Sequence, residues 1–218
     1  MKKLAKKIAG LTLGAVALGA MSVSPVYAAE GALNGGTYNS SEKEYTGTGA
    51  VTISGASTGT PLENNMEIYG IKDTTGSSVT GSVTAANFAS SSVTGLEIYG
   101  GWSNVAGVKG VNNKVLWDSS ATVGNIKNIA GFYANAKDAT ATGTTVTLSG
   151  ATVDAFGKAY GDFVTSSTGD ATATGTTVTL INTNIGIQGE VYGDFVTSST
   201  GDATATGTTL TLNNITTE

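Results

Sequence analysis

The residues of this 218-residue chain best suited to chemistry are acids and tyrosines that return at a fixed interval. Asp162 and Asp194 stand 32 residues apart in the same local sequence, Tyr-Gly-Asp-Phe. Two carboxylates can share the acid and nucleophile or base roles in glycoside cleavage, which makes this pair the candidate for a polysaccharide-active enzyme. Stacked one repeat apart they would lie at roughly 5 Å, a spacing that every repeated residue shares and that selects no chemistry by itself. Asp138, Asp170 and Asp202 form a second series, each directly ahead of Ala-Thr-Ala-Thr-Gly. A column of like charge invites a divalent cation such as Ca²⁺. The Gly-Gly-x-Gly-x-Asp pattern of calcium-binding β-rolls is missing from it, and solvated loop charge is the competing reading. The third series is Tyr69, Tyr99, Tyr160 and Tyr192. Rings in a row can stack on sugars or touch a receptor, or they can hold one another in a structural ladder worth about 0.2–1 kcal/mol per pair.

Composition excludes other chemistries. The chain has no His and no Cys, which removes the usual triads, thiol nucleophiles and zinc sites, and no cofactor is expected. Its Gly- and Ser-rich loops lack the Lys and the following helix of a phosphate cradle. Every basic residue is a lysine, and four of the 11 lie before Ala28, whereas all 16 acids follow it. Residues 29–218 therefore carry seven lysines against 16 acids, a net charge of −9. An acidic chain without Arg is a poor match for phosphate backbones, so nucleic acid is not an expected partner. Stability must come from backbone hydrogen bonding and packing, since no disulfide can form.

Residues 1–28 have the layout of a secretory signal peptide. Lys2, Lys3, Lys6 and Lys7 precede an uncharged apolar run from Ile8 to Met21, and Val26-Tyr27-Ala28 suits a cleavage site. The run is shorter than the roughly 20 residues that cross a bilayer, so the mature chain is expected not to span a membrane and to reach the periplasm, the cell surface or the medium.

The elements that must position the acids and tyrosines are repeats. Tyr160 to Leu180 recurs as Tyr192 to Leu212 with one change, Val178 to Leu210, and Ala139 to Leu148 is a third copy of the second half. A period of this size marks a stack of supersecondary units, none of which can bury its apolar side alone. Within the unit, Thr177-Val178-Thr179-Leu180 alternates polar and apolar residues and reads as a strand with Val and Leu inward. A second strand runs through the tyrosines. Strict alternation places Ile98, Gly100 and Trp102, with Phe163 and Phe195, inward, and the tyrosines outward with Glu97, Asp162 and Asp194. A bulge at the glycine is the alternative that would reverse the outward reading of the tyrosines. A third, weaker strand is expected at Ala151 to Ala155 and Thr183 to Ile187, closed by Gly157 and Gly189. Upstream copies drift: Val115-Leu116-Trp117 stands for Val178-Thr179-Leu180, and Ala130 to Tyr133 reads as a shortened tyrosine strand. The expected fold is all-β, a right-handed parallel β-helix (β-solenoid) of five or six coils, with about 30 to 32 residues and three short strands per coil. Residues 29–66 are assigned to an N-terminal cap and first coil, with charged Ser40 to Tyr45 as edge protection and Val51 and Ile53 opening the stack. Residues 67–218 are assigned to the repeats, and no comparable cap is seen at the C-terminal edge.

The order Tyr-Gly, polar loop, Gly-Asp-Ala-Thr, Gly-Thr-Thr-Val-Thr-Leu resembles the repetitive passenger regions of bacterial autotransporters and related adhesin-like surface proteins. The match is best at 160–180 and 192–212 and extends loosely from Ile68 onward. The C-terminal membrane barrel of a complete autotransporter is not seen in these residues. The resemblance implies a secreted β-helical module that adheres without catalysis, with a host-cell or glycan surface as partner. The polysaccharide-active enzyme and a scaffold that self-associates through its open C-terminal edge are the alternatives.

Overall fold

The computed structural model describes residues 29–55 and 58–217, so the leader read at Met1 to Ala28 lies outside the described residues. Among the described residues there is no helix, and hence none able to cross a membrane. Parallel strands stack about 32 residues apart into a β-solenoid of about five turns.

The alternating Thr-Val-Thr-Leu segments build one wall. Strands β2 (Glu44–Ser54), β6 (Ser82–Ala85), β10 (Lys114–Trp117), β14 (Thr145–Ser149), β17 (Thr177–Ile181) and β21 (Thr209–Asn213) pair in parallel. Their register lines up Val51, Val83, Val115, Val146, Val178 and Leu210, and beside them Ile53, Ala85, Trp117, Leu148, Leu180 and Leu212. Both rows face the interior, and all of their residues before β21 are at most 1% exposed. Each buried Val or Leu contributes about 1.5–3 kcal/mol of transfer free energy, while the intervening threonines stay at the surface and add β propensity.

A second wall carries the tyrosines: the first half of β2, β4 (Glu67–Asp73), β8 (Leu96–Ser103), β12 (Ile126–Asn135), β15 (Thr152–Ser166) and β19 (Glu190–Ser198). Its inward row is Tyr45, Ile68, Ile98, Ile129, Ala159 and Val191. The third wall is shorter: β5 (Ser78–Val79), β9 (Lys109–Val111), β13 (Ala139–Thr142), β16 (Ala171–Thr174) and β20 (Ala203–Thr206). Ala-Thr-Ala-Thr is thus a strand in its own right. The weak strand expected at Ala151 to Ala155 pairs only at Thr152 and Val153 and runs on into the tyrosine strand as the start of β15. The coil from Ala139 to Ser166 keeps three strands with that redistribution.

The chain turns between walls on residues in the left-handed backbone region, Asn112, Gly143, Gly175 and Gly207 at one corner and Gly150, Asn182 and Asn214 at another. Asn and Gly are the residues that reach this region at least cost. At the N-terminal end β1 (Ala32–Asn39) pairs antiparallel with β2 across a turn that holds the charged segment, and Leu33, 1% exposed, plugs the core.

Candidate functional site

The outer side of the tyrosine wall is built by a corner at the glycine that follows each tyrosine. A Cβ at Gly161 would lie 2.1 Å from the Gly193 carbonyl oxygen and 2.3 Å from Thr176 Cγ2, so only glycine passes there. The chain bends at that point and alternation slips by one residue. Tyr160 points outward, Asp162 inward, and Phe163 outward again. This corrects the alternation drawn from sequence: Trp102, Phe163 and Phe195 lie on the tyrosine side, and Asp162 and Asp194 occupy the inward row instead of the outward one. The tyrosines turn away from the two interior cores, as strict alternation placed them, but they are not an open surface column: Tyr69, Tyr99 and Tyr160 are 4%, 8% and 7% exposed, packed among the neighbouring rings, and only Tyr192 is half-buried.

Two columns of rings result. In the first, Tyr69 stacks on Tyr99 and Tyr160 on Tyr192, each pair at 5.2 Å between centroids. In the second, Trp102, Tyr133, Phe163 and Phe195 stack at 6.5, 4.6 and 5.0 Å. Edge contacts, such as Tyr160 on Phe163 at 5.1 Å, join the columns. Lys72 covers the upstream end, with its ammonium 4.8 Å from the Tyr69 ring centre and 5.2 Å from that of Trp102, and pairs with Glu44. The rings form a cluster of their own, separate from the two interior cores.

A Glu-x-Tyr pairing holds three tyrosines of the first column, while Tyr160 follows Lys158. Residues two apart share a strand face, so the Tyr99 hydroxyl donates to Glu97 Oε2 at 2.7 Å and that of Tyr192 to Glu190 Oε2 at 2.9 Å. Tyr69 donates to Glu67 in the same way. Burial, reinforced by these carboxylates, pushes the Tyr69 and Tyr99 phenols far above their ordinary range. The Glu97 carboxyl is held below its usual range: burial opposes ionisation, but Lys127 at 2.7 Å, Tyr99 and Asn128 outweigh it.

The first column is interrupted once. The register runs Tyr99, Ala130, Tyr160, and where the coils of Tyr69, Tyr99 and Tyr192 carry Glu-x-Tyr this coil has Asn128-x-Ala130 and the next has Lys158-x-Tyr160. Strand β12 is ten residues long, so the strand thought shortened is complete. Tyr133 belongs to the second column, beside Trp102 and Phe163. A groove of about 480 Å³ lies at the interruption, walled by Tyr99, Tyr133, Tyr160 and Phe163. Phe156 is part of its lining, 68% exposed with φ 62°.

The sequence-predicted acids are placed as follows. Asp162 and Asp194 are register partners. Asp162 is fully buried and its Oδ2 accepts the Thr176 hydroxyl at 2.7 Å, while Thr208 donates to Asp194. Desolvation pushes the Asp162 carboxyl up to about 7 against the pull of Thr176 and Thr144, with the Asp194 charge adding to the rise. Neither acid lines a described groove. Asp138, Asp170 and Asp202 form the expected exposed column, and Asp138 Oδ1 accepts the Asp170 N–H and Asp170 Oδ1 the Asp202 N–H, both at 3.0 Å. A Cβ at Gly169, φ 86°, would fall 1.9 Å from Asp138 Oδ1, so this loop too requires glycine. Among the described residues no three acids converge on a metal position.

Fold and surface together define a β-solenoid with a double aromatic ladder on one outer wall. No protein-family model matches the chain, and comparison with curated proteins and with solved structures returns no match.

Sequence reasoning found the first column and missed the second, and it missed Phe156 and the groove. The available signal was the three-residue step from Tyr69 to Lys72, Tyr99 to Trp102, Tyr160 to Phe163 and Tyr192 to Phe195, which period-two alternation conceals.

Proposed function

We propose that this chain is an exported, non-catalytic surface-binding module, an adhesin-like solenoid of the kind found in autotransporter passengers, with the aromatic wall as its contact face. The observation that carries the reading is the second ring column. Trp102, Tyr133, Phe163 and Phe195 are only partly buried and pack on the outer tyrosines instead of on either core. Aromatic area held rigid at a surface binds with little loss of side-chain entropy. The lysine-rich, apolar leader supports export, and the acids that a hydrolase would use face the interior. The test is adhesion of protein-coated beads to cell and polysaccharide surfaces, compared between the natural chain and Phe163→Ser with Phe195→Ser. The expected outcome is lost adhesion at a temperature well below a melting point lowered only by the missing ring contacts, with far-UV circular dichroism unchanged; adhesion that survives both substitutions overturns the reading.

A second reading is favoured by one observation. Leu210 and Leu212 on the outermost described strand are 42% and 53% exposed, an apolar edge suited to self-association. Light scattering across a concentration series would reveal it as growing mass, which Leu210→Lys should suppress.

A further inference from the structure

We propose that the groove at the interruption of the tyrosine column is a subsite for one neutral pyranose ring of a glycan, seated on the aromatic walls beside Phe156. The proposal rests on the reading of the aromatic wall as a contact face, and it names the ligand class and the place.

Three independent features meet there. The first is a missing ring. Tyr69, Tyr99 and Tyr192 each follow a glutamate by two residues and Tyr160 follows Lys158, whereas one coil has Asn128 and, in place of the tyrosine, Ala130. The ladder is one ring short at that rung, and Tyr99 and Tyr160, two coils apart, have no stacked tyrosine between them. Ala130 itself is fully covered, so a ligand would rest on the rings around it.

The second is Phe156. Between Ile126 and Asn128 the chain has a single residue, Lys127, whereas between their partners Val153 and Lys158 it makes a four-residue excursion, Asp154 to Gly157. That excursion brings a phenyl ring to the groove's lining with two thirds of its surface in water and its backbone in the left-handed region. A bulky residue in that conformation costs about 1–2 kcal/mol, and an exposed phenyl forgoes its burial energy. Strain at an exposed aromatic beside a groove points to contact with a ligand.

The third is the polarity of the rim. Lys127 pairs with Glu97 at 2.7 Å and Lys158 with Glu190 at 3.0 Å, so the charges beside the groove balance. Ammonium, amide and carboxylate groups there offer hydrogen-bond donors and acceptors without a net field. A pyranose has apolar C–H faces for aromatic walls and hydroxyl edges for such a rim, and a neutral one needs no counter-charge.

The test uses the full chain in affinity electrophoresis through gels containing a neutral glucan, galactan or mannan, with a polyuronate gel as the charged control. At least one neutral gel should retard the natural chain. Phe156→Ser, at an exposed position, should weaken the apparent Kd about tenfold, the equivalent of one lost aromatic contact, with the melting temperature unchanged. Ala130→Tyr, which supplies the missing ring, should abolish retardation while far-UV circular dichroism remains that of a β-solenoid. Retardation unaffected by Phe156→Ser, retardation by the polyuronate alone, or no retardation by any neutral gel each overturns the proposal. Bead adhesion measured alongside separates the two levels: adhesion present but indifferent to Phe156→Ser removes the sugar subsite and leaves the contact face, whereas absent adhesion removes the contact face itself.

Discussion

The coils that begin at Tyr160 and at Tyr192 have almost the same sequence and different environments. Val178 and Leu180 are fully buried, whereas Leu210 and Leu212 are 42% and 53% exposed. Asp162 is fully buried, and its partner Asp194 lies half-covered in the outermost described coil. Strand β16 alternates between buried and exposed residues, and β20, with the same Ala-Thr-Ala-Thr, is exposed throughout. The lesson is that burial in a stack belongs to the neighbour: each coil supplies the cover for the one before it. Two copies of one sequence therefore provide an internal control for every interaction in the repeat.

The largest expected divergence is in pH dependence. The Asp162 carboxyl titrates at about 7 in the folded chain against 3.8 in its ordinary state, so folding favours its protonated form. Its contribution to stability is complete below about pH 4 and is lost as pH rises through 7, a change of roughly 4 kcal/mol. Urea midpoints followed at pH 4.5, 6 and 8 should fall with rising pH. Asp162→Asn should flatten that fall and raise stability at pH 8, whereas Asp194→Asn should keep most of the slope. An unchanged slope in Asp162→Asn would show that this carboxyl is not the titrating group.

Next in size is the core row. Leu180→Ala should cost about 3 kcal/mol through lost burial and the cavity left behind, read as a lower denaturant midpoint. Leu212→Ala, the same change on the open side, should cost less than about 1 kcal/mol. Equal costs would mean that Leu212 is covered in solution, and would turn attention to self-association.

The smallest effect concerns the phenols. Tyr99→Phe removes a mostly buried bond to Glu97 and should cost about 1.5 kcal/mol, whereas Tyr192→Phe, in the uncovered coil, should leave the melting temperature where it was. A matching loss in Tyr192→Phe would show the outermost coil to be as ordered and dry as the inner ones.

Much of this architecture is legible in the sequence. The register of Val115 with Val146 and Val178, the glycine corners, the outward tyrosines and the aspartate loop column follow from a 32-residue recurrence and from the chemistry of Gly, Val and Thr. What escaped is confined to places where the chain leaves period two. The slip at Gly161 sent Asp162 inward and Phe163 outward, because a coil interior has no room there for a Cβ and the backbone must turn. Ala-Thr-Ala-Thr went unrecognised as a strand because its inward residues, Ala139 and Ala141, are only methyl groups and give little apolar contrast with threonine. Ala130 looked like decay in a poorly matching copy; only its register between Tyr99 and Tyr160 marks it as a missing ring.

By itself the sequence determined the solenoid, because a repeat of strands with one apolar side has no way to bury that side except against its own copies. The tertiary structure alone decided which face each side chain occupies beyond a glycine and where one absent ring falls beside an exposed Phe156. Those outcomes depend on backbone direction and on contacts 30 to 32 residues away, and neither is written in the local pattern.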